Sequence, residues 1–348
     1  MKEQVCIAMS GGVDSSVAAV LLGQAGYALS GIHLRLCCAE EKRSDAEDAA
    51  AVAKRLGFPF QELDLSDVFQ ETVIRYFVEE YEAGRTPNPC AACNRAVKFG
   101  ALLEHALTQG ADYLATGHYA RVGYDRSSGR YLLRRAADRS KDQTYFLYML
   151  RQEQLAHVLF PLGELTKEQV RQAAGVQGLV NAQKRDSQDI CFVPDGDYAR
   201  LIERVTGRPA PAGPFLDQEG RVLGQHKGLI RYTLGQHKGL GLSTEEPLYV
   251  LKKDTGTNAI QLGPDSALWS RELVADQVNL ISVPELVAPM RVTAKTRYSQ
   301  RESAATAEML PDGCLRVVFD EPQRAVTPGQ AVVLYDGEMV VGGGTIRG

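Results

Sequence analysis

Ser10-Gly11-Gly12-Val13-Asp14-Ser15-Ser16 separates an apolar run, Gln4–Met9, from a helical pattern over Val13–Gln24. A buried strand, a glycine turn and a helix in that order form the opening of a βα unit. The two glycines let the backbone turn tightly and approach a ligand. The free N–H groups and dipole of the following helix favour an anion, and Ser10, Ser15 and Ser16 add hydroxyl donors. A lone Gly-Gly would need no more than a strand–helix turn, and on these residues alone that plainer reading stays open beside a phosphate loop. No Gly-Lys-Ser/Thr follows, so it is not a Walker loop.

Outward from this loop the pattern repeats. Ala28–Leu34 and Phe60–Leu65 read as strands, and Asp45–Leu56 and Asp67–Glu82 as helices. Arg85-Thr86-Pro87-Asn88-Pro89 is loop, because two prolines exclude regular structure. Cys90–Gln109 reads as helix and Asp112–Thr116 as strand. A hairpin pattern over Tyr119–Leu133 turns at Arg126-Ser127-Ser128-Gly129, and helical patterns resume over Gln143–Ala174. Beyond Arg208, three prolines and frequent glycines mark a change to short strands, such as Leu248–Leu251 and Ala259–Leu262. Val292–Thr296, Leu315–Phe319 and Ala331–Tyr335 then suggest a small closed β-barrel. The expected architecture is α/β: a Rossmann-type parallel-sheet domain over 1–206, a small central domain over 207–272 and a C-terminal β-barrel over 273–348.

Length and composition fit two or three globular domains: 348 residues, 44% hydrophobic and 24% charged. No apolar run approaches the ~18 residues that would span a bilayer. The N-terminal residues show no signal-peptide apolar region, so seven cysteines point to the reducing cytoplasm and to reactive or metal-binding thiols. The net charge of −4 does not advertise nucleic acid. Phosphate contacts need only local charge: Arg121, Arg126, Arg130, Arg134, Arg135, Arg139 and Lys141 crowd one stretch, and Lys295, Arg297 and Arg301 flank Tyr298 in another, though on residues alone these read first as solvated hairpin and barrel faces.

Cys90 and Cys93 sit three apart where a helix begins, sharing a face, and the helix dipole there lowers a thiol pKa. A third cysteine, Cys191, follows Ser187-Gln188-Asp189-Ile190. A closed zinc site would need a fourth ligand, and no second CxxC exists. Cys6 and Cys314 read as buried and inert; Cys37 and Cys38 follow the second strand, near where α/β sheets bind ligands, and are ambiguous, with a structural role the preferred reading.

The string SGGVDSS fits the PP-loop of ATP pyrophosphatases, which cut ATP between its α and β phosphates. With TPNPCAACN and KFG, ATGHYA, KDQTYFL, SQDICFVPDGDY, YTLGQHKGLGL, RYSQ and AVTPGQAVVLYDG, the chain resembles the tRNA-specific 2-thiouridylase (MnmA) family over nearly its whole length. That resemblance implies a tRNA-uridine 2-sulfurtransferase. ATP with Mg²⁺ adenylates O2 of the wobble uridine, and sulfur carried as a persulfide on Cys191 attacks C2 while Cys93 activates or releases it. Implied ATP contacts are Ala8, Met9, Ser10, Gly11, Gly12, Val13, Asp14, Ser15, Leu34 and Gly117. Asn88, Pro89 and Cys90 are implied beside the target base. His118, Lys141, Asp142, Gln143, Arg297, Tyr298 and Gln330 are implied tRNA contacts, and a sulfur-donor protein is an implied partner.

Many members carry Asp where this chain has Cys90, which removes a carboxylate and creates a three-thiolate set. Cys90, Cys93 and Cys191 resemble the cluster ligands of related tRNA thiolases. A [4Fe–4S] cluster and a persulfide relay through a Cys93–Cys191 disulfide are therefore both compatible with the sequence. Competing readings are a PP-loop ligase acting on a small metabolite, which needs neither Cys93 nor Cys191, and a tRNA-binding protein with a vestigial ATP site.

Overall fold

The computed structural model describes residues 2–36, 43–182, 184 and 190–347. Cys37, Cys38 and the Ser187-Gln188-Asp189 part of the third cysteine's motif lie outside the described residues. Strands β1 (Gln4–Ala8), β2 (Ala28–Arg35), β3 (Phe60–Asp64) and β4 (Tyr113–Ala115) are joined by Val158–Leu159, and all neighbours pair in parallel in the order β3-β2-β1-β4-Val158–Leu159. This is the doubly wound arrangement expected, because apolar runs buried on both faces need helices above and below. Helix α1 (Val13–Gln24) buries Val17, Ala18 and Ala19 completely, and α2 (Arg43–Leu56) packs Ala49, Val52 and Ala53 into the same core.

Two features differ from the sequence reading. The stretch Gln143–Ala174 is not mainly helical: it holds a 3₁₀ turn, Thr144–Phe146, a four-residue helix, Gln152–Leu155, the edge strand Val158–Leu159 and a helix, Lys167–Val176. The two-residue strand exists because β4 offers a free edge (Leu114↔Val158, Ala115↔Leu159), a long-range pairing that leaves no periodic trace. The helices expected over 67–82 and 90–109 form, but each contains a π-helical segment, Gln70–Ile74 and Asn94–Leu102. Such segments concentrate at functional sites.

A central sheet pairs Tyr249–Asp254, Ala259–Gly263, Gly213–Leu216 and Val222–His226, with Phe215, Val250, Ile260 and Leu262 fully buried between them. Next comes a twelve-residue strand, Trp269–Leu280. It pairs with Leu315–Arg324 on one side and Met339–Ile346 on the other, closing six antiparallel strands into a barrel. Closure removes exposed edges. The hairpin Arg121–Asp125 and Arg130–Arg134 of the first domain attaches at Met339↔Arg134. Ile281, Val333, Tyr335 and Val340 of the barrel belong to the same apolar cluster as Cys6, Leu114 and Tyr145 of the first domain. No described helix is long and apolar enough to cross a membrane.

The crowded arginine stretch is explained by this seam. Arg121 and Arg139 pair with Glu338, Arg135 pairs with Glu302 and lies 3.7 Å over the Tyr335 ring, and Arg130 donates to the Ile281 carbonyl at 2.8 Å. These residues fasten the hairpin to the barrel rather than offer a phosphate track. Arg126 and Arg134 remain exposed.

Where the central sheet meets the first domain, Lys253 is desolvated. Its Nζ donates to the Tyr232 carbonyl at 3.1 Å and sits 5.8 Å from the Tyr81 ring centre; among the described residues no ion pair involves it. Burial pushes its ammonium down from 10.5 to about 8. Between those values the unfolded chain holds more protons than the folded one, so stability rises with pH across that window. Lys253→Met should therefore raise stability at neutral pH by about 1–2 kcal/mol. That gain should shrink as pH climbs from 8 towards 10.5, as read by denaturant midpoints; a gain independent of pH would contradict the assignment.

Candidate active site

The strand order reverses between β1 and β4, and the loops that leave these two strands converge there, as ligand-binding crevices do in open α/β sheets. Gly11 has φ +74°, and a Cβ on it would lie 2.2 Å from the Asp45 carbonyl oxygen of α2. Gly117, just beyond β4, presses on the loop from the other side: a Cβ there would meet Ser15 N at 2.7 Å. Ser15 Oγ accepts from Ser10 N at 3.2 Å and donates to the Gly12 carbonyl at 3.2 Å, and Ser16 Oγ donates to the same carbonyl at 3.0 Å. Gly12 is the N-cap and supplies no side chain, so the first-turn N–H groups of α1 have no intrahelical acceptor. These N–H groups suit an anion such as a phosphate. Met9 is buried in the core and Leu34 lies on β2, so Met9 can meet a ligand only through its backbone.

Asp14 is engaged from within. Lys167 Nζ donates to its two carboxylate oxygens at 2.7 and 2.9 Å, and the Tyr119 hydroxyl donates at 2.9 Å. The other side of the loop is held by Asn181 Nδ2, which donates to the Gly11 carbonyl and to Ser16 Oγ at 2.9 Å each. Lys184 Nζ reaches Asp45 at 2.7 Å and Asp48 at 2.6 Å beside the same Gly11 carbonyl. Lys167, Asn181 and Lys184 were not legible as loop partners, because each lies more than a hundred residues away in sequence. Tyr119 falls within ATGHYA, which was the available signal.

The Cys90–Cys93 pair opens a short helix, Pro89–Cys93. Asn88 caps it, its Oδ1 accepting from Ala91 N at 3.2 Å, and Pro89 occupies the first turn, where a missing N–H costs nothing. The π-helical segment then carries Lys98, whose charge acts on both thiols. The expectation of dipole-lowered thiols is corrected here. Burial dominates and pushes the Cys93 thiol up to about 11, with Lys98 opposing it. Cys90, which reaches the surface, is also raised, chiefly by desolvation. Cys191 is exposed, and Phe192 beside it packs against the apolar cluster that contains Cys93, which brings the third cysteine's segment to the helix of the other two; all three thiols are free. Among the described residues no three His, Cys, Asp or Glu side chains are placed to hold a metal ion. Cys6 and Cys314 are buried, as expected.

The implied tRNA contacts divide. His118 is buried against Phe99 and Phe160, hydrogen-bonded to Thr116 Oγ1 at 2.7 Å, and burial keeps it neutral by lowering its pKa well below 6.5. Asp142 accepts from Ala136 N at 2.9 Å and from Thr144 Oγ1 at 2.6 Å, and Gln143 Oε1 accepts from Tyr119 N at 2.9 Å. Arg297 donates to the Ala325 carbonyl at 2.8 Å and Thr327 Oγ1 at 2.6 Å, and Gln330 is bound to the cysteine loop. These five are engaged inside the protein because their polar groups, once buried, must be paired. Lys141 is half-buried. Tyr298 stays exposed, its ring 4.5 Å from Phe146 and 5.7 Å from Lys295 Nζ.

Residues 3–195 match the family described as tRNA methyl transferase HUP domain, 202–264 the tRNA methyl transferase PRC-barrel domain and 270–346 the aminomethyltransferase beta-barrel domain. The tRNA-specific 2-thiouridylase of Acetivibrio thermocellus is 49% identical over 360 residues, covering 99% of each chain. The chain belongs to the tRNA-specific 2-thiouridylase family. The thiouridylase of Pelotomaculum thermopropionicum is 50% identical, covering 99% of this chain and 98% of that one. Among solved structures, a U34-tRNA thiolase from Methanococcus maripaludis with its [4Fe–4S] cluster aligns over 58% of this chain and 66% of its own, at 17% identity and a TM-score of 0.37. That similarity is too low to carry a cluster over to this thiouridylase family member.

The thiol environment predicts unequal reactivity. Near neutral pH, iodoacetamide should modify Cys191 at least about tenfold faster than Cys93, since the thiolate is the nucleophile. The Cys93 rate should keep climbing until pH approaches 11. Peptide mass mapping of timed samples reads both; equal rates at neutral pH would contradict the burial of Cys93.

Proposed function

We infer that this chain is a tRNA 2-thiouridylase, and that the single observation carrying the reading is the joining of a PP-loop and a three-cysteine neighbourhood in one domain of a family member. The loop at the sheet's reversal accepts ATP, whose Mg²⁺ is held chiefly by phosphate oxygens and neutralises their charge. Uridine O2 attacks the α-phosphorus and pyrophosphate leaves, which turns a carbonyl oxygen into a good leaving group. The outer sulfur of a persulfide on Cys191 then bonds to C2 and AMP departs with O2. Cys93 thiolate attacks the Cys191 sulfur, the sulfur–sulfur bond to the base breaks, and 2-thiouridine is released. The transferred sulfur is thereby reduced and the two cysteines are oxidised to a disulfide. A thiol reductant and a persulfide-donating protein restore the starting state.

Two positions support this assignment of roles. Cys191 is exposed, where a donor protein can reach it, whereas Cys93 is buried and kept protonated, which spares it from premature oxidation. Cys90 stands at the surface of the same helix, beside Asn88 and Pro89, as a residue bordering the target base. A cluster on the three cysteines would need their sulfurs to converge on iron; the relay needs two that meet in turn. Lys141, Tyr298, Lys295 and the exposed arginines supply the RNA grip, with Tyr298 available to stack.

Asp14→Ala and Ser15→Ala should reduce thiolation by about a hundredfold or more while tRNA affinity changes little, because Asp14 anchors the loop through Lys167 and Tyr119 and Ser15 fixes its turn, which preorganises the phosphate site rather than any RNA contact. Cys93→Ser and Cys191→Ser should each stop 2-thiouridine formation yet leave ATP binding intact. Parallel assays of AMP release, thiolated nucleoside by mass spectrometry and tRNA binding read these outcomes. Full ATP-dependent turnover in both cysteine variants would favour a small-metabolite ligase, and equal loss of tRNA binding and turnover in the loop variants would defeat the separation of roles.

A further inference from the structure

The loop that leads into the cysteine helix is short of internal partners. Pro87 and Pro89 have no N–H, so the Thr86 and Pro87 carbonyls must find donors elsewhere. The barrel supplies them. Gln330 Nε2 donates to the Thr86 carbonyl at 3.0 Å and to the Pro87 carbonyl at 2.9 Å, and Thr86 N donates to the Pro328 carbonyl at 2.9 Å. Two carbonyl acceptors fix the orientation of the Gln330 amide and use both of its N–H groups. Gly329 has φ +87°, and a Cβ on it would lie 2.8 Å from the Thr86 oxygen and 3.0 Å from its nitrogen, so the two backbones touch where only glycine fits.

The turn that makes these contacts is itself held rigidly. Gly329 N donates to the Ile346 carbonyl at 2.9 Å, Ile346 N donates back to Gln330 at 2.8 Å, and Gln330 N donates to Thr327 at 3.2 Å. Thr327 is buried and receives the Arg297 guanidinium, which also reaches the Leu234 carbonyl of the central unit at 3.5 Å. At the near end of the loop, a Cβ on Gly84 would lie 3.1 Å from Thr255 Cγ2 of the central sheet. At the far end, Asn88 caps the helix that carries Cys90 and Cys93. All three domains therefore meet on residues 84–88.

We propose that the Thr327–Gln330 turn is a clasp that sets the position of the cysteine helix, and that Gln330 is a positioning residue for sulfur transfer rather than solely an RNA contact. The proposal rests on the thiouridylase reading for its chemistry but not for its mechanics. Seating of the barrel, the domain bearing Tyr298, is transmitted through two hydrogen bonds to the start of the helix holding Cys93. RNA docking and thiol placement are thus mechanically linked.

Gln330→Glu keeps the shape but loses both donors and sets a carboxylate against two carbonyl oxygens. Gln330→Asn shortens the reach by one methylene and serves if the first variant folds poorly. Hydrogen–deuterium exchange of the full-length protein, free of tRNA and nucleotide, is read over residues 85–93 beside the barrel strands. Exchange over 85–93 should accelerate by about tenfold or more while the strands keep their protection, since opening there no longer breaks two bonds. With saturating tRNA, the single-turnover thiolation rate should fall by about tenfold while the tRNA dissociation constant stays within about twofold. Unchanged exchange over 85–93 in both variants would overturn the clasp. So would a weakened tRNA affinity with an unchanged single-turnover rate, which would make Gln330 an RNA contact alone. If the wild type forms no 2-thiouridine, the functional reading fails, and the exchange result still decides the clasp.

Discussion

The tight approach of Gly117 to the backbone of Ser15 is the constraint on which this architecture turns. The reversal of strand order between β1 and β4 sends two loops to the same point, and a Cβ at 117 would meet Ser15 N at 2.7 Å. With the loop pressed against that neighbour, its first-turn N–H groups keep one direction, and an anion meets a preorganised cradle rather than a mobile chain. Asp14, locked by Lys167 and Tyr119, and Gly11, gripped by Asn181, extend the same rigidity to both ends of the loop. The residues that make the loop reactive are thus different from those that keep it in place.

The second and third domains supply rigidity to the first. Their contribution at the seam is a set of guanidinium groups paired with Glu302, Glu338 and main-chain carbonyls, and a barrel whose apolar residues finish the core of the first domain. Partly buried charges gain more from such partners than exposed ones do, which is why so many of the chain's arginines are committed there. On the proposed function, the surface left for RNA is a smaller one around Tyr298, Lys295, Lys141 and the exposed hairpin arginines. A modest local patch is consistent with an overall charge of −4.

Sequence reading reached furthest where the signal is local. Helix α1 begins at Val13 and ends at Gln24 as its apolar spacing and the preceding glycines indicate, and the parallel order follows from alternating strands and helices. It fell short where a distant partner decides the outcome. Val158–Leu159 is a strand only because β4 has a vacant edge, and Arg121 is a fastener only because Glu338 lies beside it across 217 positions of sequence. His118 and Asp142 sit in recognisable motifs, yet only packing reveals that they face inward. Helix-dipole reasoning on Cys90 and Cys93 failed for an energetic reason: desolvation of the buried Cys93 outweighs what a helix N-terminus offers a thiolate.

The central claim is that one domain activates uridine O2 with ATP and then replaces it by sulfur, so the fate of that oxygen tests it most directly. A substrate tRNA carrying ¹⁸O at O2 of the wobble uridine, taken through a single turnover with ATP and a persulfide donor, should yield AMP bearing one ¹⁸O per 2-thiouridine formed. AMP free of the label, alongside normal thiolation, would show that the oxygen leaves by another route and would contradict the adenylation account.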